Sequence, residues 1–402
     1  MQSVESYLSE IIAAIAPVPA TDLPVAEADG AVLAADATAA WPLPGFDNSS
    51  MDGYAVLAAD VASASEASPV TLGVQAESAA GDTTIRTLTP GHCIKIMTGA
   101  LLPGGADAIV PVEWTDGGTQ TVTISQAASK GNAIRRAGDD AQPGDLLLPA
   151  GTRLGAAQIG VLAAAGHGTL RARRRPRVTV ISTGNELAPP GSPLVPGQIW
   201  DSNSYMLTAA ARQAGAAATR HPTLRDDTGV VLAAISQAAA SADLLITSGG
   251  VSMGGEHDVV KAALTELGTV SFRKVAMQPG MPQGFGQLGE GRTPIFTLPG
   301  NPVSAFVSFT LFVEPAIRAL QGLPAQRTVP RQSRLAEPVR SPEGRRSFLR
   351  GNLDRQADVV VPLTGQSSHQ IASLARADTL IIVPESVTAL PAGALVEILE
   401  LP

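Results

Sequence analysis

Three apolar segments in the second half of the chain constrain its fold more than any other feature. They are 177–182 (Arg177-Val178-Thr179-Val180-Ile181-Ser182), 243–247 (Asp243-Leu244-Leu245-Ile246-Thr247) and 294–298 (Pro294-Ile295-Phe296-Thr297-Leu298). Each has the length and apolar character of a buried strand, and a helix-period stretch follows each one. The first helix is expected over 202–214, capped by Asp201 or Ser202 and ended by Gly215. The second is expected over 259–267, closed by Gly268. The third has Asn301 as N-cap, Pro302 at its first position, a core stripe of Val303, Val307, Leu311 and Ile317, a kink at Pro315 and Gly322 past its end. Strands alternating with helices predict a parallel, doubly wound α/β sheet.

The rest of the chain reads differently. Val4, Leu8, Ile11, Ile12 and Ile15 recur at helical spacing until Pro17 and Pro19 stop the helix. Short β-like runs separated by glycine fill about 70–168, among them 93–97, 108–112 and 121–124. The tail from about Thr328 returns to short strands such as 359–361 and 380–383. The expected organisation is an N-terminal helix and linking region over 1–45 and an inserted, mostly β domain over 46–145. A return link over 146–175, the α/β domain over 176–325 and a C-terminal β domain over 326–402 complete it.

Composition narrows the function classes. Lys+Arg 28 against Asp+Glu 36 leaves a net charge of −8, which repels polyanions and argues against nucleic acid. Cys93 is the only cysteine, so neither an internal disulfide nor a cysteine zinc cluster can form, and the five histidines lack ligand-type spacing. Glu5 and Glu10 stand where a signal peptide carries positive charge, and no uninterrupted apolar run reaches membrane-spanning length. The expectation is a cytoplasmic protein without a membrane partner.

In an open parallel sheet, ligands bind beyond the carboxyl ends of the strands. The loops leaving those ends here are Ser182-Thr183-Gly184-Asn185-Glu186, Thr247-Ser248-Gly249-Gly250-Val251-Ser252 and Leu298-Pro299-Gly300-Asn301-Pro302. One glycine after a strand merely makes a turn; three such loops at one edge suit a phosphate-bearing ligand held by backbone N–H groups. Neither G-x-G-x-x-G after the first strand nor G-x-x-x-x-G-K-[ST] occurs, which demotes NAD chemistry and P-loop hydrolysis. Asp52, Asp139, Asp140, Glu186, Asp201 and Asp258 lie in loop-like sequence. Carboxylates with substrate phosphates are what Mg2+ prefers, although singly each acid reads as a cap or a solvated loop residue. The arginines at 171, 173, 174, 175 and 177 read as a solvated face rather than an anion grip.

Seven phrases together resemble the molybdopterin molybdenumtransferase family (MoeA and the gephyrin E domain). They are Asn48-Ser49-Ser50-Met51-Asp52-Gly53-Tyr54-Ala55, Ile96-Met97-Thr98-Gly99-Ala100, Arg135-Arg136-Ala137-Gly138-Asp139-Asp140, Ser182-Thr183-Gly184-Asn185-Glu186-Leu187, Gly197-Gln198-Ile199-Trp200-Asp201-Ser202-Asn203, Ser248-Gly249-Gly250-Val251-Ser252 and Leu298-Pro299-Gly300-Asn301-Pro302-Val303-Ser304. They stand in the family's order across nearly the whole chain. The resemblance implies an elongated homodimer whose molybdopterin-binding α/β domain joins a linking region, an inserted β-containing domain and a C-terminal β-barrel-like domain. It implies a cleft between the α/β domain of one subunit and the inserted domain of the other. The implied reaction takes adenylyl-molybdopterin and molybdate with Mg2+ to molybdenum cofactor and AMP.

Carried over by position, Asp52, Asp140, Glu186 and Asp258 are the implied catalytic acids, and Glu186, Asp201 and Asp258 the implied metal ligands. Thr98, Gly99, Thr183, Gly184, Ser248, Gly249, Gly250, Ser252, Pro299, Gly300, Asn301 and Pro302 surround the pterin, its phosphate and molybdate. The family's K-P-G-K segment reads Gln278-Pro279-Gly280-Met281 here, leaving Lys274 or a nearby arginine to supply the cation. Asn185 replaces the usual acid beside Glu186, and Gly255-Glu256-His257-Asp258 is one residue longer than the common form, so Glu256 competes with Asp258. Molybdopterin adenylyltransferase and molybdoenzyme-maturation proteins are the implied partners. The alternatives are a molybdopterin-binding scaffold that has lost turnover, or the adenylyltransferase itself, which lacks the inserted and C-terminal regions.

Overall fold

The computed structural model describes residues 1–249, 260, 261, 264, 270–326 and 330–401. They form two compact units. One comprises Met1–Asp22, Gly30–Ala34 and Arg171–Pro402, the other Leu23–Asp29 and Ala35–Leu170.

The first unit is built on a six-stranded sheet in the order Ala217–Arg220, Arg177–Ser182, Leu244–Ser248, Thr293–Leu298, Pro282–Leu288, Val270–Lys274. The first four strands are parallel; the last two run antiparallel to their neighbours, so the sheet is mixed. The sequence reading missed those last two strands, the strand at Ala217–Arg220 and the helix Thr228–Ala239. Gly284 and Gly286 interrupt the apolar pattern in one strand, and the alanine-rich 228–239 helix has little periodic contrast. The central strands are buried at every residue, as expected where helices cover both faces.

Helix Asn203–Gln213 and the long helix from Pro302 pack on one face, with Leu207, Ala211, Val303 and Val307 in the core. Val231 and Ile235 of Thr228–Ala239 cover Ile181, Leu245 and Ile295 on the other. The helix expected over 259–267 lies almost wholly outside the described residues. The expected kink at Pro315 takes a specific form. A π-helical turn, Phe309–Val313, precedes it and makes room for a ring that would collide with the preceding turn and has no N–H to donate. Pro302–Leu320 is the one described helix with the length and hydropathy to cross a membrane, and it is two-thirds buried within the protein. The N-terminal helix Val4–Ala13 joins the same core, with Tyr7 edge-on to Phe312 at 4.9 Å.

Five strands beyond residue 330 close into a barrel. Arg346–Asp354 pairs with both Val359–Pro362 and Thr379–Val383, Leu395–Glu400 pairs with Thr379–Val383 and Arg331–Leu335, and Arg331–Leu335 pairs back to Val359–Pro362. Closure removes free strand edges. Met277–Gln278 adds to this sheet beside Arg346–Ser347, and Phe348, Leu380 and Ile382 enter the α/β core.

The basic run before the first sheet strand is structural. Arg174 and Arg177 both bond the Asp243 carboxylate, at 2.5 and 2.9 Å from Arg174 and 3.2 Å from Arg177. Arg175 donates to the Ala216 carbonyl, and Arg173 to that of Val18. Burial alone would raise the Asp243 carboxyl, but the hydrogen bonds from Arg174 and Arg177 outweigh it and hold it at about 2. The unfolded carboxyl titrates near its ordinary 3.8, so the contribution is complete above that value and disappears as pH falls through about 2. Asp243→Asn is expected to cost about 2 kcal/mol at pH 7 in urea unfolding. Its deficit against the parent should shrink below pH 4; a deficit constant down to pH 2 would contradict this assignment.

The second unit carries a five-stranded sheet in the order Ala108–Pro111, Gly53–Val56, His92–Ile96, Val70–Ser78, Thr121–Ile124. Tyr54, Val56, Cys93, Val110, Val122 and Ile124 form its core. Cys93 is a packing residue: it is fully buried, and burial pushes its thiol up to about 12. The β-like reading of 70–168 missed the helix Ala156–Ala164, whose alanines and glycine blur any period.

Candidate functional site

Strand register brings three loops of the first unit to one edge. Ser182 lies opposite Ser248, and Ser248 opposite Leu298, so the segments beginning at Thr183, Gly249 and Pro299 leave the sheet side by side. Gly249 adopts φ +92°, and a Cβ there would stand 3.2 Å from the Thr183 carbonyl oxygen and bring a side chain against the neighbouring loop. A Cβ on Gly300 would lie 3.8 Å from the Gly249 Cα, so the second and third loops also touch backbone to backbone. Only glycine permits this approach at 249.

Asn203, the first residue of its helix, fastens the assembly. Its amide nitrogen donates to Ser248 Oγ at 2.8 Å and to the Gly300 carbonyl at 2.7 Å. The sequence reading quoted Asn203 within a motif but gave it no role; the signal was its place in the first turn of a helix facing two glycine loops. Asn301 caps the following helix by position and Pro302 opens it, as expected.

The acids divide by environment. Glu186 is exposed, and its carboxylate folds back over Gly184, where a Cβ would meet both carboxylate oxygens at 2.7 Å. Among the described residues it has neither a hydrogen-bond nor an ion-pair partner. Asp201 is 1% exposed and accepts three hydrogen bonds, from Ser204 N at 3.1 Å, Ser204 Oγ at 2.6 Å and Thr223 Oγ1 at 2.9 Å. Ser202 holds the N-cap position of helix Asn203–Gln213 and the Asp201 side chain, one residue earlier, bonds the first-turn N–H, so both sequence candidates take part and most of the Asp201 lone pairs are taken. Asn185 and Asp226 bridge two loops reciprocally: Asn185 N donates to Asp226 at 3.1 Å and Asp226 N to Asn185 Oδ1 at 3.3 Å. A carboxylate at 185 would face Asp226 as a like charge, so the departure from the family pattern has a local reason. Gly250, Ser252, Glu256 and Asp258 lie outside the described residues. Among the described residues no three His, Cys, Asp or Glu side chains are grouped to hold a metal ion.

Lys274 ends the edge strand at this same end of the sheet, opposite Pro282, and its side chain is exposed. The Gln278-Pro279-Gly280-Met281 loop follows, braced by Gln283, which donates to the Gly280 carbonyl and to Ser308 Oγ at 2.6 Å each. Arg345 reaches it from the barrel and donates to Gln278 Oε1 at 3.2 Å. The cation missing from position 278 thus has a neighbour that sequence reading could name only as some nearby arginine.

The second unit holds its own candidates. Asp52 Oδ1 accepts from Thr98 N and Thr98 Oγ1, both at 2.7 Å, and the Thr98 N–H is the main reason its carboxyl sits below the usual range. Gly99, with φ +80°, donates to the Ser49 carbonyl and turns the chain beneath this pair. Asp140 is exposed, its side chain without a partner among the described residues, whereas Asp139 accepts from Arg136 N at 2.6 Å and closes its own loop.

Family models match three stretches: the MoeA N-terminal region (domain I and II) over residues 2–166, a probable molybdopterin binding domain over 179–319, and the MoeA C-terminal region (domain IV) over 332–401. A Mycobacterium tuberculosis protein named molybdopterin molybdenumtransferase 2 is 45% identical over 410 residues, covering 100% of each chain. A Bacillus subtilis molybdopterin molybdenumtransferase is 34% identical over 91% of this chain and 86% of its own length. A solved molybdopterin biosynthesis MoeA protein from Pyrococcus horikosii superposes with a TM-score of 0.75 at 36% identity, covering 98% of each chain.

Proposed function

Because the chain belongs to the molybdopterin molybdenumtransferase family, we propose that it inserts molybdate into adenylyl-molybdopterin, releasing AMP and yielding molybdenum cofactor. The observation that carries this reading is the convergence of three glycine loops beside Glu186, an exposed carboxylate without a partner among the described residues.

Releasing AMP breaks one P–O–P bond as an oxygen of molybdate or water forms a new P–O bond, a reaction governed by positioning and charge neutralisation rather than by a covalent protein intermediate. The buried, raised thiol of Cys93 is consistent with that. The Gly300 and Asn301 N–H groups hold the terminal phosphate, with Ser248 oriented by Asn203, while the N–H groups at 183, 184 and 249 brace the loops through the carbonyls of Ser248, Leu224 and Leu298. The free oxygens of Glu186 suit Mg2+, whereas Asp201 keeps only a fraction of its lone pairs for it; Asp258 is the further ligand in this reading. Bound Mg2+ supplies charge neutralisation to the phosphates. Lys274 and Arg345 furnish the positive charge for molybdate near Gln278. Arg345 weakens the case for a scaffold without turnover, and the matches to the MoeA N- and C-terminal regions leave the smaller adenylyltransferase without support.

The proposed working form is a cytoplasmic homodimer in which the acids of the inserted unit, Asp52 and Asp140, with Thr98, serve the α/β unit of the other subunit. Molybdopterin adenylyltransferase upstream and molybdoenzyme-maturation proteins downstream are its proposed partners. The test is to charge the protein with adenylyl-molybdopterin and add molybdate and Mg2+. About one AMP per bound pterin is expected; bound pterin without AMP release under any metal condition would establish the scaffold instead.

A further inference from the structure

The second unit has a cleft of its own, about 460 Å³ in volume, and most of its walls belong to none of the seven phrases that mark the family. Small-molecule sites commonly run from about 300 to 1,000 Å³. Met51, Pro111 and Trp114 are the apolar walls. Trp114 packs against the buried core of the unit, which holds its ring in place, while Met51 is 40% exposed. Backbone bonds fix the frame. Ser50 N donates to the Ala133 carbonyl at 2.9 Å and Val112 N to that of Asp52 at 3.0 Å, so the cleft adjoins the Asp52–Thr98 pair.

The polar groups in this cleft are largely unspent. Glu113 is exposed and makes neither an ion pair nor a hydrogen bond among the described residues. Asn132 donates from Nδ2 to the Ile109 carbonyl at 2.7 Å, which fixes the amide and leaves Oδ1 as an acceptor. The Trp114 indole N–H and the Ser50 hydroxyl have no partner among the described residues.

That set has a chemical counterpart. The two oxygens of Glu113 and the one of Asn132 match a flat heterocycle with a row of N–H bonds along one edge. A 2-amino-4-oxopyrimidine ring carries such an edge, a ring N–H beside an exocyclic amino group, with a carbonyl next to them for the Trp114 or Ser50 donor. Adenine lacks it, because the ring nitrogens flanking its amino group are acceptors. Trp114 and Met51 offer the rest of the ring a stacking face and a polarizable one.

We infer that this cleft binds the pterin end of the substrate, with Glu113 and Asn132 reading its amino-oxo edge and Trp114 stacking on the ring. The inference rests on the molybdotransferase reading for the identity of that substrate. The glycine loops of the α/β unit answer to its phosphate end, and this cleft to its heterocycle.

The test is equilibrium dialysis of the full chain against three probes. Pterin carries the edge; lumazine puts a carbonyl in place of the amino group and so faces the acceptors with an acceptor; guanosine carries the same edge on a purine. Pterin is expected to bind more tightly than either, by about tenfold over lumazine. Glu113→Gln should weaken pterin about tenfold without weakening lumazine, and should leave the melting temperature unchanged because the side chain is exposed. Trp114→Phe should hold pterin affinity within about threefold, whereas Trp114→Leu should weaken pterin and lumazine alike, as lost stacking does. Equal binding of pterin and lumazine by the parent, or unchanged pterin affinity in Glu113→Gln, overturns the assignment. Guanosine bound as tightly as pterin overturns it in favour of a guanine nucleotide. A pterin preference that Glu113→Gln removes, in a protein that releases no AMP from adenylyl-molybdopterin, keeps the subsite and defeats the function; AMP release without any pterin preference does the reverse.

Discussion

Replacing Glu186 with Gln should reduce AMP release at least about a hundredfold while leaving the melting temperature within a degree or so of the parent. The side chain is exposed and makes no hydrogen bond or ion pair among the described residues that its replacement would remove. What it removes is a formal negative charge one residue from the loop bridge of Asn185 and Asp226 and directly over the Gly184 backbone. Gly184→Ala provides a geometric companion, because its methyl would displace the carboxylate without changing any charge. A Gln variant keeping a third or more of the parent rate would reduce Glu186 to a loop residue. Parallel thermal melts and single-turnover AMP release settle the matter together.

Asp201 should behave in the opposite way on stability. Asp201→Ala is expected to lose both turnover and about 3 kcal/mol of unfolding free energy, since it strands the Ser204 N–H and two hydroxyls in a buried site. Asp201→Asn keeps an acceptor for the helix N-terminus and should recover at least half of that loss, measured by urea unfolding, without recovering AMP release. Equal stability of the Ala variant and the parent would remove its capping role. Full activity of the Asn variant would show that its charge is dispensable.

These two acids illustrate what a sequence can and cannot disclose. Both were legible as candidates because they sit in loops leaving predicted strands. Their difference was not, since it depends on Thr223, a residue from another loop that reaches Asp201 only after segment 221–224 docks on the strand end. Asn185 looked like a missing ligand until Asp226 appeared opposite it, and Gln278 like a lost cation until Arg345 came across from the barrel. Asn203 went unassigned because its two acceptors lie 45 and 97 residues away.

Local chemistry by itself determined the alternation of strands and helices, the glycine loops at the carboxyl edge, the cap and stop of helix Asn203–Gln213 and the inert cysteine. Those features follow from residue periodicity, backbone freedom and side-chain polarity acting over a few positions. Tertiary structure alone decided which strands run antiparallel, that the last five close into a barrel, that the basic run is spent on Asp243 and carbonyls, and that Ser50, Glu113 and Asn132 share one cleft. Each of these depends on register or on partners tens to hundreds of residues apart, and long-range pairing is set by the packing of whole faces rather than by any one segment.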